Sequence, residues 1–114
     1  MFQTIEDAIG GVSTVPEEKK AVFIKDVTKY EYALPGQKLS QGLYKMEPAY
    51  EGNDYIVVSA SDMRQSPFGK IYETYIFAAN SEGEIVDIGN ELLGSQKGTY
   101  SHEKVLKDIG YKIV

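Results

Sequence analysis

Between Ile71 and Ala79 both alternating sets of residues are apolar or small. Ile71, Tyr75, Phe77 and Ala79 fall on one parity, Tyr72, Thr74, Ile76 and Ala78 on the other, and Glu73 is the only charge. Successive side chains of a strand point to opposite faces, so a run that is apolar on both predicts a central strand covered on both sides. Such a strand commits the chain to a sheet with something packed against it. The turn formers Asn80-Ser81-Glu82-Gly83-Glu84 follow, and Gly83 can supply the positive φ that a three- to five-residue hairpin needs. Ile85–Ile88 is the expected return strand, ended by Gly89 and Asn90. Glu91-Leu92-Leu93-Gly94 is expected to form a short turn that sets two leucines on the core.

Charge singles out the same stretch. Between Lys70 and Lys97 there are five carboxylates, Glu73, Glu82, Glu84, Asp87 and Glu91, and no Lys or Arg. The chain has 17 acidic and 12 basic residues, so this region alone accounts for the formal charge of −5. One account is a solvated loop and edge that keeps the sheet from pairing with others. The other is an acidic patch for a basic partner. Both are compatible with the residues.

Elsewhere the pattern is of short elements. Thr4 and Asp7 resemble a helix N-cap signal, and Ile5, Ala8, Ile9 and Val12 could line a short N-terminal helix before Gly10-Gly11 stops it. Val15–Lys20 reads as a polar linker or a single helical turn, with Pro16 suited to a first helical position. Ala21–Tyr32 is strand-like, with a bulge or turn at Lys25-Asp26. From Pro35 to Asp54 the apolar pattern fails, with Leu43–Met46 a short strand inside a strand-bearing excursion or a mobile loop. Tyr55–Ala60 is apolar on both parities and predicts a strand beside Ile71–Ala79. Ser61–Gly69 connects them and contains Arg64, the single arginine. Ser101 is placed to cap a helix from His102, with Val105, Leu106 and Ile109 as its buried stripe. Gly110 and Tyr111 carry the marks of a Schellman ending, after which the last residues can add an edge strand. The expected fold is α+β: one domain over 1–114, a mostly antiparallel sheet of about four to five strands, the C-terminal helix on one face and the short N-terminal helix.

Composition excludes several kinds of function. No cysteine is present, so neither disulfides nor thiolate metal sites can form. A pI of about 4.8 argues against direct nucleic-acid binding, which depends on Lys and Arg at phosphates. MFQTIEDAIGG lacks a basic, apolar leader, and no apolar run reaches the roughly 18 residues of a membrane span. A cytoplasmic protein that binds no membrane is therefore expected. Nine tyrosines and no tryptophan suit half-buried sheet positions and contact surfaces alike.

Catalytic chemistry finds little to rest on. His102 is the single histidine and falls in the first turn of a helix, and no serine sits in a Gly-x-Ser-x-Gly elbow. Gly36 and Gly42 have the glycine spacing of a phosphate loop, but Leu43-Tyr44 stand where Lys-Ser/Thr is needed. Asp26, Glu82, Glu84 and Asp87 lack the spacing of a calcium loop. No catalytic residue, metal or cofactor is expected.

The run ETYIFAANSEGEIVDIGNELLGS, a spacer with Gly98, and then HEKVLKDIGYKIV is similar to a pattern in small accessory proteins of bacteriophages and mobile elements. It covers about the last 60 residues. The resemblance implies a setting, a phage-derived protein acting on host machinery in the host cytoplasm, and no catalytic residues. Two functions of different class are expected. One is a non-enzymatic binding protein, an inhibitor of a host defence protein, that presents Glu82, Glu84, Asp87 and Glu91 with Tyr44 and Tyr50 to a basic surface. The other is a small homo-oligomer that sequesters a small molecule such as a nucleotide through Arg64 and Tyr72.

Overall fold

The computed structural model describes residues 18–32, 37–62 and 71–114. The N-terminal helix expected from Thr4 and the loop position of Arg64 lie outside the described residues. Among the described residues the strands are β1 (Lys20–Asp26), β2 (Leu39–Tyr50), β3 (Asn53–Asp62), β4 (Tyr72–Ala79), β5 (Gln96–Lys97) and β6 (Lys112–Ile113), with one α-helix, α1 (His102–Asp108), and a 3-10 turn at Tyr30–Tyr32 where the strand-like run from Ala21 was expected to continue. Among the described residues they form one six-stranded sheet in the order β5-β4-β3-β2-β1-β6, curled into a half-barrel. All neighbours are antiparallel except β1 and β6. The α+β expectation holds at that level, but six strands replace the four to five expected.

The extra strand length comes from the segment that looked irregular. β2 runs for 12 residues, antiparallel to β1 on one side and β3 on the other. Glu51 and Gly52 join it to β3 with positive φ values of 49° and 82°, the two-residue hairpin geometry that matches strand twist. The Asn53 side-chain amide donates to the carbonyls of Tyr50 and Glu51, which locks that turn. Towards its end the register of β2 shifts between Lys45 and Tyr50, around a cis Glu47–Pro48 bond. The Tyr111 hydroxyl donates there to the Pro48 carbonyl at 2.7 Å.

β3, not β4, is the central strand. It pairs with β4 in register from Tyr55↔Ala79 to Asp62↔Tyr72, as expected, and is buried from Ile56 onward. The outer edge of β4 meets another strand only at Glu73 and Thr74. Loop groups close the rest: Val86 N–H donates to the Ala78 carbonyl, Leu92 N–H to that of Ile76, and the Ser95 hydroxyl accepts from Ile76 N–H. The expected return strand Ile85–Ile88 is thereby corrected to a single bridge, Ala79↔Ile85. The chain leaves the ladder there because the Asp87 carboxylate turns it, accepting from Gly89 N–H at 3.1 Å. Of the two leucines expected on the core, Leu92 packs there and Leu93 is exposed.

One face of the sheet holds the core. Ala21, Tyr44, Met46, Ile56, Val58 and Ile76 pack against Val105, Leu106 and Tyr111 from the C-terminal segment. α1 is too short to be helical alone, so this burial and its caps hold it. The Ser101 hydroxyl accepts from Lys104 N–H, and Gly110 at φ 92° ends the helix. Tyr111 N–H reaches the Leu106 carbonyl and Gly110 N–H that of Lys107, which is the Schellman pattern. Buried Thr74 ties the start of α1 to β4, donating to the Thr99 carbonyl and accepting from Ser101 N–H. No helix among the described residues is long and apolar enough to cross a membrane.

Candidate functional site

The sheet face opposite α1 is only partly covered, and the acidic turn lies across it. Asn80 organises that turn. Its side-chain oxygen accepts from the N–H groups of Glu82 and Glu84 at 3.0 and 2.9 Å, and its amide donates to the Glu84 carboxylate at 2.8 Å. Gly83 at the tip takes φ 91° and is buried, and a Cβ there would lie 2.6 Å from Val27 Cγ1 and 3.4 Å from Leu43 Cδ2. The turn therefore docks through backbone, and the flanking carboxylates Glu82 and Glu84 are left at the surface.

Beside the docked tip is a cleft of about 440 Å³ lined by Val27, Gln41, Val57, Gly83, Ile85 and Ile88, with Lys29 and Glu84 at its rim. A more open depression of about 310 Å³ shares Val27, Lys29, Gly83 and Glu84 with it and adds Thr28, Glu31 and Glu82. The segment after β1 is stitched to β2, which fixes this wall. Val27 N–H donates to the Gln41 carbonyl, Lys29 N–H to the Gln41 side-chain oxygen, and Gln41 N–H to the Thr28 hydroxyl. From the cleft's Ile88 outward the chain displays Val86, Ile88 and Leu93 at 68, 72 and 74% exposure, interleaved with exposed Asp87 and Glu91. Ion pairs lie elsewhere: Lys104–Asp108 at 2.9 Å and Lys112–Glu18 at 3.7 Å. Among the described residues no Lys or Arg pairs with Glu82, Glu84, Asp87 or Glu91.

The structure thus gathers Glu82, Glu84, Asp87 and Glu91 on one loop, while the tyrosines go elsewhere. Tyr44, expected at a contact surface, is 4% exposed, and desolvation pushes its hydroxyl up to about 12. Tyr50 is half-buried, its hydroxyl donating to the Leu93 carbonyl and its ring edge-on to Tyr111. It braces the base of the loop. Tyr72 pairs opposite Asp62, at the end of β4 away from the acidic turn, with its ring against Tyr100.

The His102 ring is half-buried between α1 and β2. Its Nε2 lies 2.9 Å from the Ser40 carbonyl, which can only accept, so Nε2 carries the proton and Nδ1 accepts from the Tyr44 hydroxyl at 2.9 Å. Burial lowers its pKa from the ordinary 6.5, opposed by the Ser40 carbonyl and by Asp26. Both nitrogens are engaged, and the ring joins helix to sheet. Tyr75 stands on the cleft face of β4; its hydroxyl donates to the Glu73 carboxylate, which with partial burial pushes it up to about 12.

Sequence reading missed Val27, Gln41 and Val57 as parts of a site, because the three come from different strands or their connections. The Asn80-x-Glu82-x-Glu84 spacing was the available signal for the turn. Comparison with protein-family models, curated proteins and solved structures finds no match.

Proposed function

We propose that this chain is a protein-binding module whose working surface is the acidic loop from Asn80 to Gly94, presented to a partner with a basic surface. The observation that carries this reading is the exposure of Val86, Ile88 and Leu93 among carboxylates that pair with no Lys or Arg among the described residues. The loop is tied at Ala78, Ile76 and Asp87, so these side chains are held outward on a fixed backbone. Apolar anchors ringed by charge that seeks a counter-charge are what a non-obligate interface requires. The setting proposed with it is the one the resemblance implies, a phage-encoded inhibitor of a host protein. A nucleotide is disfavoured at the cleft and the depression that adjoins it, since across the two together Glu31, Glu82 and Glu84 outnumber Lys29 and repel phosphate.

Native mass spectrometry of protein purified from its own host tests this reading. A co-purifying protein with a basic surface, lost from the Val86→Ser/Ile88→Ser/Leu93→Ser variant, is the expected result. A retained small ligand with no protein bound would overturn it.

A further inference from the structure

Resting on the reading just given, the geometry points to a specific occupant of the cleft beside Gly83: an apolar side chain of the partner, carried on a segment that has Lys or Arg on both sides of it. The lining of Val27, Val57 and Ile85, with exposed Ile88 beside them, is apolar, and about 440 Å³ falls within the roughly 300–1,000 Å³ of cavities that bury small organic groups. Gln41 brings little free polarity to it, because its amide donates to the Ser59 hydroxyl and its oxygen accepts from Lys29 N–H. An apolar group entering there displaces water without stranding a polar partner.

The rim decides what flanks that group. Glu84 borders both the cleft and the neighbouring depression, Glu82 and Glu31 border the depression, and Lys29 is the base among the described lining residues. Glu82 and Glu84 meet hydrogen-bond donors of their own turn, Ser81 and Asn80, and no cation among the described residues. A segment that seats an apolar side chain therefore brings its neighbours onto carboxylates, and cationic neighbours are favoured over anionic ones. Small aliphatic lining residues and the tightness at Gly83 leave the cleft as the anchor and the carboxylates as its selectivity.

Three fluorescent hexapeptides test this on the full chain: Leu-Phe flanked by two lysines on each side, Ser-Ser with the same lysines, and Leu-Phe flanked by glutamates. The first should bind and shift the methyl resonances of Val27, Val57 and Ile85, and the other two should bind at least about tenfold more weakly. Glu82→Gln/Glu84→Gln should weaken the first peptide several-fold, and Lys29→Glu should tighten it. All three positions changed are exposed, so a folded protein is expected, and a gain of binding cannot come from misfolding. Equal binding of the Leu-Phe and Ser-Ser lysine peptides, or binding without cleft shifts, overturns the occupant while leaving an acidic docking loop intact. Loss of any co-purified basic partner as well would overturn the underlying reading too.

Discussion

His102 sits where its charged form is disfavoured. Burial is the larger influence on its pKa, and the neutral tautomer already satisfies both nitrogens. Between the lowered folded pKa and 6.5 the unfolded chain binds more protons than the folded one. The stability owed to the neutral ring is thus full above 6.5 and is lost as pH falls through the folded value. The ring-proton NMR titration of His102 should have its midpoint below 6.5, and a midpoint at or above that would show the ring is not held as described. Gly83 gives a second test at this scale. Gly83→Ala forces a side chain into a positive-φ position against Val27, and should cost roughly 1–3 kcal/mol in denaturant unfolding. The glycine was legible as a turn residue; its close approach to Val27 was not, because a separation of 56 positions hides that contact from any local pattern.

Among the elements, α1 depends on what it buries. Leu106 is fully buried against the sheet, so Leu106→Ala should lower stability by about 2–4 kcal/mol. A loss under about 0.5 kcal/mol, the size usual for surface changes, would show that the helix is not part of the core. Thr74→Val should cost about 1–3 kcal/mol for a different reason, leaving the Thr99 carbonyl and Ser101 N–H without their buried partner. The helix and both its caps could be read from sequence because capping is local chemistry: Ser101, Gly110 and Tyr111 act within a turn of themselves. β2 could not be read in full. Gly42, Lys45 and Pro48 interrupt its alternation, and Tyr111 satisfies its irregular carbonyls from 63 residues away. The return strand was over-read for the opposite reason, since Ile85–Ile88 has strand composition but the Asp87 side chain turns it away.

For the molecule as a whole, charge distribution was plain in the sequence, whereas the cleft it borders exists only once residues 27, 41, 57 and 83–88 meet. A loop that carries four of the five carboxylates behind the net charge of −5 should set how fast a basic partner arrives, with salt screening the effect over about 8 Å at physiological ionic strength. Its carboxylates contribute little to folding. Glu82→Gln/Glu84→Gln/Asp87→Asn should therefore stay within about 0.5 kcal/mol of the parent in stability. The most direct measurement is the association rate of the co-purified partner with parent and triple variant across a salt series. The parent should associate about tenfold faster at low salt, and its steep salt dependence should flatten in the variant. Equal rates at every salt concentration would contradict a recognition role and leave the acidic loop as a solubilising edge.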